Sequence, residues 1–260
     1  MELKGKVCLI TGGTKGIGAA TAVELARRGA DVAINSRVAD EDAVKVKAQI
    51  EALGQRCAVI AADVSEATEA ARCVEATAAA LGGIDVLVHC AGAAAPGSLL
   101  EVSPETWYRA FDIHIHAIFH LSRAAVPWIK KRHGGAVVLV SSAAGLRGCL
   151  GAIAYGVVKG ALPQFARAMA RELADDNIRV NCVSPGVIRT RFQNMLTPEQ
   201  AKNNIEKRIP LHREGRPEDV AQAIAMLVCN DFITGENFAI DGGMTMRIVW
   251  RQVEEGLLSA

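Results

Sequence analysis

A tyrosine and a lysine stand four residues apart in the run YGVVK, as Tyr155 and Lys159. On a helix, residues at this spacing share a face, so both side chains can act on one bound molecule. A phenol with a pKa of about 10 is a poor acid-base catalyst at neutral pH, and a neighbouring ammonium lowers that pKa because it favours the phenolate. The pair suits carbonyl reduction, which needs a hydride on one side and a proton for the forming alkoxide on the other.

A glycine-rich segment, TGGTKGIG, follows the first apolar run of the chain. Glycines let the backbone turn tightly and approach a pyrophosphate, and a helix N-terminus offers free N–H groups and a partial positive charge. The spacing G-x-x-x-G-x-G differs from the usual Rossmann fingerprint, but its predicted strand-loop-helix context indicates dinucleotide binding rather than a simple tight turn. The predicted cofactor contacts in this loop are Gly12, Thr14, Lys15, Gly16, Ile17 and Gly18.

The end of the second predicted strand, AINSRV, bears on cofactor choice. An NAD-specific site offers an acidic side chain to the adenosine ribose there, whereas this chain has Ser36 and Arg37. An arginine can pair with a 2′-phosphate through charge-assisted hydrogen bonds, and Lys15 would add a second positive charge. The alternative is that both cations are solvated surface groups. The pattern favours NADP(H) over NAD(H).

Three of the six histidines fall in FDIHIHAIFH, as His114, His116 and His120. His116 and His120 have a zinc-like i, i+4 spacing, but the glutamate of H-E-x-x-H is absent and no third ligand is apparent. On an ideal helix His114 points away from His116. We therefore predict no metal site, and we expect packing or interface roles for His116 and His120.

Short apolar runs alternate with segments of helical period, which is typical of βαβ units that build a parallel sheet. The predicted strands span residues 7–11, 31–35, 56–61, 86–89, 136–141, 178–183 and 237–241, and the predicted helices span 16–28, 40–53, 66–81, 104–131, 152–174 and 217–229. No linker or repeat divides the 260 residues, so one α/β domain is expected. Residues 186–215 are the least regular stretch and a candidate lid.

The overall composition points to a small-molecule partner. A net charge of +1 with 50% hydrophobic residues gives no sign of nucleic-acid or membrane binding. The first apolar run is too short for a signal peptide or a spanning helix, so a cytoplasmic location is expected. The seven cysteines are scattered and are expected to be mostly reduced core thiols. Cys149 falls in a predicted active-site loop, but a nucleophilic role would need a base that the sequence does not place.

Several motifs, in one order and at matching separations, resemble the short-chain dehydrogenase/reductase family. They are TGGTKGIG, Asp63-Val64, Ala91-Gly92, Ser142 thirteen residues before Tyr155, YGVVK, and NIRVNCVSPG followed by Thr190. The resemblance covers residues 1 to about 243, taken as the catalytic domain, and leaves 244–260 as a tail. It implies a Rossmann-type doubly wound parallel sheet of about seven strands, a homotetramer, and NADP(H)-dependent interconversion of a carbonyl and a secondary alcohol.

The resemblance also implies roles for individual residues. Tyr155 becomes the general acid-base, Lys159 binds the nicotinamide ribose and lowers the tyrosine pKa, and Ser142 stabilises charge on the substrate oxygen. Asp63 is expected to meet the adenine amino group, and residues 185–190 to cup the nicotinamide. The other implied cofactor contacts are Val64, Ala91, Gly92, Pro185, Gly186, Ile188 and Thr190.

Two positions depart from the family pattern. His89-Cys90 replaces the usual asparagine pair, so the hydrogen bonds of those asparagines must be remade or lost. His114 occupies the slot of an asparagine that holds a water linking the active-site lysine to solvent. An imidazole can continue that proton path, and its ordinary pKa of about 6.5 would make the path pH-sensitive. The alternative is that His114 blocks the water and weakens turnover.

The substrate is left open, because residues 93–97 and 143–151 are small and apolar apart from Arg147. The segment SSAAGLRGCLG resembles the corresponding loop of 3-oxoacyl-carrier-protein reductases, while sugar dehydrogenases of the family are an equal comparison. Four cations are candidate contacts for an acidic carrier protein, or else solvated helix ends: Lys130, Lys131, Arg132 and Arg171.

Two further alternatives stay open. The changes at His114 and at His89-Cys90 motivate a rival function, a nucleotide-binding regulatory or scaffold protein with weak or no catalysis. The tail at 244–260, which includes Trp250, either packs on a neighbouring subunit or frays at the surface.

Overall fold

Seven parallel strands form one sheet in the order β3-β2-β1-β4-β5-β6-β7 in the computed structural model, which describes residues 1–191 and 196–246. The strands are β1 Val7–Thr11, β2 Asp31–Ser36, β3 Cys57–Ala61, β4 Val86–His89, β5 Gly135–Val140, β6 Ile178–Pro185 and β7 Asn237–Ile240. Because β1 pairs with both β2 and β4, the strand order reverses there, which confirms the predicted doubly wound sheet of seven strands.

Helices cover both faces of the sheet. They are α1 Gly16–Arg27, α2 Glu41–Glu51, α3 Ala67–Leu81, α4 Pro104–Phe111, α5 Ala117–Lys131, α6 Ile153–Leu173, α7 Pro198–Asn203 and α8 Pro217–Cys229. Successive residues of β1 enter opposite cores: Leu9 packs in the cluster that contains Leu121 of α5, and Ile10 in the cluster that contains Leu25 of α1. All five residues of β1 are buried, as expected for a strand covered on both faces.

The helix predicted over 104–131 is interrupted. A π-helical turn, Asp112–His116, separates α4 from α5, and the Ala117 N–H bonds to the Asp112 carbonyl five residues back. The histidine cluster therefore lies where the 3.6-residue period fails, which periodicity could not reveal. Turns of this kind occur frequently at functional sites.

The candidate lid contains a helix that the periodicity did not predict. Helix α7 is six residues long, and Thr197 and Gln200 form a reciprocal capping box at its start. The run TPEQ carried this signal, because a threonine followed three residues later by glutamine is a typical helix start. The lid residues 192–195 and most of the predicted tail, 247–260 with Trp250, lie outside the described residues, so their predicted roles stay predictions.

No helix in the described ranges 1–191 and 196–246 is long and apolar enough to cross a membrane. The cysteines in those ranges are free, and Cys8, Cys73 and Cys182 are buried. Burial raises the pKa of Cys73 and Cys182 to about 12, as expected for inert core thiols. Cys149 is exposed.

Candidate active site

The glycine loop joins β1 to α1 and crosses the end of β4. Gly12 has φ +63°, and a Cβ there would lie 2.8 Å from the Ala91 backbone nitrogen, so this crossing requires glycine. Helix α1 begins at Gly16, and the side chain of its N-cap residue, Lys15, makes no capping hydrogen bond. The first-turn N–H groups are therefore available to an anion, and this backbone cradle fits a dinucleotide pyrophosphate.

Lys15 does not offer the second free cation that the sequence predicts. Its Nζ lies 2.6 Å from Asp40 Oδ2 and 3.4 Å from Asp42 Oδ2. Asp42 also accepts from Arg191, with Nη1 2.7 Å from its Oδ2, so one carboxylate links the glycine loop to the start of the candidate lid. The hydrogen bond with Asp40 raises the pKa of Lys15. The positive charge of Lys15 is thus already paired with carboxylates that lie about 25 residues further along the chain, a contact that the sequence did not indicate.

Arg37 is the remaining cation at this end of the sheet. It is exposed at the end of β2, and no ion pair or hydrogen bond of its side chain is found within the described part of the chain. The neighbouring Ser36 donates its hydroxyl to the Val38 carbonyl oxygen at 2.5 Å. Asn35 is buried and donates to the carbonyls of Ile60 and Ala62, so it shapes the end of the strand.

Asp63 follows β3, where the family pattern expects a contact to adenine. Its Oδ1 accepts from the Ser65 backbone N–H and hydroxyl, and its Oδ2 lies 3.1 Å from Nη2 of Arg109 on α4. Burial opposes ionisation, but the hydrogen bonds from Ser65 and Arg109 lower the pKa of Asp63 below its ordinary value. Arg109, which the sequence analysis missed, holds the carboxylate in place.

Ser142, Tyr155 and Lys159 come together beyond the end of β5. Tyr155 and Lys159 share one face of α6, with Lys159 Nζ 5.6 Å from the tyrosine ring centroid. The Ser142 and Tyr155 side chains are hydrogen-bonded to each other, and Ser142 Oγ also accepts from the Ala144 N–H at 3.1 Å. Lys159 donates to the Val140 carbonyl oxygen at 2.8 Å, which fixes its ammonium in the interior.

Burial is the largest influence on the pKa values of Tyr155 and Lys159. It raises the pKa of Tyr155, and the hydrogen bond from Ser142 opposes that shift only in part. Burial also lowers the pKa of Lys159 to about 8. The pKa of Tyr155 is therefore raised in this geometry, with desolvation of the phenolate as the largest cause, and the predicted lowering by Lys159 stays a prediction.

His114 is buried in the π-helical turn, edge-on to Tyr155 with the ring centroids 5.8 Å apart. The shorter of its backbone contacts, 3.0 Å from Nε2 to the Ala93 carbonyl oxygen, assigns the ring proton to Nε2. Nδ1 is buried and has no hydrogen-bond partner among residues 1–191 and 196–246. A Cβ on Gly92 would lie 3.3 Å from this Nδ1 and 3.6 Å from Lys159 Nζ, so the two nitrogens flank the same glycine.

The predicted pH sensitivity of His114 near neutral pH is wrong. Burial and, second, the charge of Lys159 lower the pKa of His114 to about 2. The imidazole is therefore neutral at physiological pH and presents an acceptor at Nδ1. Sequence alone could not give this result, because the ordinary histidine pKa applies only in water.

The unusual His89 remakes hydrogen bonds at the Ala91-Gly92 turn. Its Nδ1 lies 2.8 Å from Thr11 Oγ1, and that hydroxyl accepts from the Ala91 N–H at 3.3 Å. Burial lowers the pKa of His89 to about 3, so it too is neutral. Thr11, the last residue of β1, is a positioning residue that the sequence analysis missed.

The segment after β6 crosses the glycine loop from the other side. Pro185 ends β6, and a Cβ on Gly186 would lie 2.7 Å from Asp241 Cβ. Ile188 is buried, and Thr190 Cγ2 lies 3.1 Å from where a Gly16 Cβ would be. The predicted nicotinamide segment thus meets the predicted phosphate loop directly.

The three histidines of the cluster do not converge. His116 is exposed and pairs with Asp112, with Nδ1 3.0 Å from Oδ1, while His120 stacks edge-on against Phe119 at 5.3 Å. Across the residues that the structure describes, no group of three His, Cys, Asp or Glu side chains is placed to hold a metal ion.

Comparison with known proteins identifies the family. Residues 12–245 match the family model described as enoyl-(acyl carrier protein) reductase. The chain is 36% identical over 248 residues to a 3-oxoacyl-[acyl-carrier-protein] reductase of Thermotoga maritima, covering 95% of this chain and 100% of that one. The chain belongs to the short-chain dehydrogenase/reductase family. The human dehydrogenase/reductase SDR family member 4 is 37% identical over 251 residues, covering 95% of this chain and 90% of that protein.

Solved structures of the family agree with the fold. A short-chain alcohol dehydrogenase from Sinorhizobium meliloti superimposes with a TM-score of 0.89 at 33% identity, covering 95% of this chain and 99% of that one. L-Sorbose reductase from Gluconobacter frateurii, solved with NADPH and L-sorbose, gives 0.88 at 28% identity, covering 95% and 99%. The chain is thus a member of an oxidoreductase family that uses a nicotinamide cofactor.

Proposed function

We propose that this chain interconverts a carbonyl and a secondary alcohol by hydride transfer, with NADP(H) as cofactor and Tyr155 as general acid-base. The observation that carries the proposal is the meeting of Ser142, Tyr155 and Lys159 at the edge of the sheet where the glycine loop crosses β4. A nucleotide-binding regulatory protein has no physical need for all three side chains.

Each residue has a definite task in this proposal. The bound cofactor supplies the hydride. Tyr155 gives its phenol proton to the substrate oxygen during reduction and takes it back during oxidation, and Ser142 donates a hydrogen bond to the same oxygen. The Lys159 ammonium stabilises the phenolate that forms, which offsets the burial that otherwise keeps Tyr155 protonated.

The NADP(H) preference rests on Arg37. Its guanidinium is exposed and is available to a 2′-phosphate, whereas Lys15 already pairs with Asp40 and Asp42. The end of β2 carries Asn35 and Ser36 in place of an acidic residue. The neighbouring carboxylates of Asp40 and Asp42 repel a phosphate. Use of both NADP(H) and NAD(H) is therefore the alternative outcome.

We assign His114 to the proton path of the site. It lines a cavity of about 340 Å³ between residues 93–96 and α4, and its unpartnered Nδ1 lies on the Lys159 side of Gly92. A neutral imidazole at this position accepts a hydrogen bond from water and keeps water near the lysine without carrying charge itself.

The homotetramer, the cytoplasmic location and the carrier-protein partner remain predictions. The carrier-protein surface has the least support, since Lys130 pairs with Asp176 at 2.6 Å and Arg132 pairs with buried Asp85 at 3.2 Å. Both cations are therefore neutralised within the chain.

A cofactor-oxidation assay tests the proposal. NADPH and NADH absorbance is followed with keto thioesters, sugars and simple ketones, for the native chain and for Tyr155→Phe. The variant should lose about 10²- to 10⁴-fold in kcat and keep its cofactor affinity, because only the phenol oxygen is removed. Tight NADPH binding with equal, negligible turnover in both proteins would instead indicate the regulatory function.

A further inference from the structure

Arg147 is the only charged side chain in the two predicted substrate loops, residues 93–97 and 143–151. The second of these loops joins β5 to α6 and so connects Ser142 to Tyr155 along the chain. Its other residues are glycine, alanine, leucine and cysteine. A permanent positive charge in such a loop is a candidate contact for an anionic group.

The loop that carries Arg147 packs against the catalytic residues. A Cβ on Gly145 would lie 2.5 Å from the Lys159 carbonyl carbon, so the loop contacts α6 directly. The electrostatic effect of Cys149 contributes to the raised pKa of Tyr155, so the loop also comes close to the phenol. Arg147 lies between these two contacts, two residues from each. Its backbone is therefore beside the catalytic group.

The Arg147 side chain crosses from this loop to the segment after β7. Its Nε lies 3.0 Å and its Nη2 2.8 Å from the Thr245 carbonyl oxygen. The Thr245 N–H bonds to Asp241 Oδ2 at 2.7 Å, and a Cβ on Gly186 would lie 2.7 Å from Asp241 Cβ. The guanidinium therefore lies between the loop beside Tyr155 and the segment that is predicted to cup the nicotinamide. A carbonyl substrate must bind between these same two sides.

The charge of Arg147 has no carboxylate partner within the part of the chain that the structure describes. Two other arginines at this edge of the sheet are paired, Arg109 with Asp63 and Arg191 with Asp42. The bonds to one carbonyl use Nε and Nη2 and leave the outer edge of the guanidinium open. There, one N–H of Nη1 and one of Nη2 point the same way and match the two oxygens of a carboxylate. Because the side chain is already held, less conformational entropy is lost when an anion binds.

We infer that Arg147 binds an anionic group of the substrate, a carboxylate above all, which lies a few bonds from the reacting carbonyl. The inference rests on the proposed function, because it places that carbonyl at Ser142 and Tyr155. Hydride transfer itself is unchanged, and Arg147 acts as a specificity-determining residue that favours keto acids over neutral ketones. A purely structural link between the two segments is the outcome that would contradict it.

Matched acids and esters test the inference. With NADPH, kcat/KM is measured for keto acids from 2-oxopropanoate to 5-oxohexanoate and for their methyl esters, which differ from the acids chiefly in charge. At the best spacing the acid should be preferred about 10- to 100-fold, as expected for a bidentate, charge-assisted hydrogen bond. Equal values, or a preference for the ester at every length, overturn the inference and leave the proposed function standing.

Variants at Arg147 distinguish charge recognition from a structural link. Arg147→Gln removes the charge and keeps an N–H donor for the Thr245 carbonyl, so the acid-to-ester ratio should fall about tenfold, mainly through KM. Arg147→Lys keeps the charge and should retain part of the ratio. The matched control is Arg167→Gln, which removes another exposed arginine about 18 Å further along α6 than Tyr155 and should leave the ratio unchanged. If both Arg147 variants lose acids and esters equally, the residue only joins the two segments and the inference fails.

A binding measurement separates this inference from the proposed function. Calorimetry of the matching hydroxy acids and their methyl esters, with NADP⁺ present, needs no turnover. The native chain should bind the acid more tightly, and Arg147→Gln should remove that preference. Acid-selective binding without turnover of any carbonyl would contradict the proposed function alone. Equal affinity of the native chain for acid and ester would contradict the inference.

Discussion

The proposed cofactor side and the proposed substrate side of this molecule meet at Tyr155 and differ in how they use polar groups. On the cofactor side, charges are held in pairs, such as Lys15 with Asp40 and Asp63 with Arg109, around a backbone cradle that a Cβ at Gly12 would fill. On the proposed substrate side, some large apolar side chains are exposed, such as Leu100 and Leu150, and Arg147 donates to the Thr245 carbonyl oxygen.

The difference indicates how each ligand is selected. A dinucleotide has fixed charges at fixed separations, so rigid N–H groups and a few cations suffice to bind it. Apolar surface is non-directional and selects by area and shape, so the same scaffold accepts different substrates when its loops change.

Lys159 lies where the two sides meet, and its replacement should give the largest effect. Lys159→Met should lower kcat by about 10²- to 10⁴-fold, since the charge that stabilises the Tyr155 phenolate is lost. Thermal stability at pH 7 should not fall, because a buried ammonium that desolvation disfavours is removed. Kinetics and thermal melts of the two proteins check both parts.

The buried Lys159 ammonium should also make the free energy of unfolding depend on pH. The pKa of Lys159 is about 8 in the folded chain and about 10.4 when unfolded, so between these values the unfolded chain binds more protons. The contribution of Lys159 to stability therefore rises with pH across that window and is constant below it. The native chain should gain stability relative to Lys159→Met between about pH 8 and 10; a parallel response would contradict the buried charge.

Arg37 and Lys15 provide a test of how the chain distinguishes NADPH from NADH. Arg37→Ser should weaken NADPH binding about 10- to 100-fold and leave NADH nearly unchanged, because a charge-assisted hydrogen bond to the 2′-phosphate is lost. Lys15→Gln is the matched control and should cost less than about fivefold, since Lys15 already pairs with Asp40 and Asp42. Equal losses in the two variants would show that Lys15 leaves its partners to bind the phosphate.

The smallest expected effect concerns His114. The ratio of kcat/KM between the native chain and His114→Asn should be the same, within about twofold, at every pH from 5.5 to 7.5. A pKa of about 2 keeps the imidazole neutral over this whole range. Paired pH profiles of the native chain and the variant measure this factor. An inflection near pH 6.5 in the native profile alone would mean that the histidine is solvated and charges during turnover.

The order of helices and strands could be predicted from the sequence because it follows from the local hydrophobic pattern. Five of the six predicted helices and all seven strands are present with boundaries shifted by a few residues, since a parallel sheet buried on both faces requires apolar runs between amphipathic segments. The sixth, predicted over 104–131, is divided into α4 and α5. The π-helical turn at Asp112–His116 could not be predicted from the sequence, because no capping side chain marks either of its ends.

The sequence by itself determined the fold class, the family and the pairing of Tyr155 with Lys159, because these depend on residue type at short spacing. Only the tertiary structure decided the charge states of His114 and Lys159 and the pairing of Lys15 with Asp40 and Asp42. Each of these depends on burial or on partners distant along the chain. Desolvation and long-range pairing act through space, and the linear order of residues does not record them.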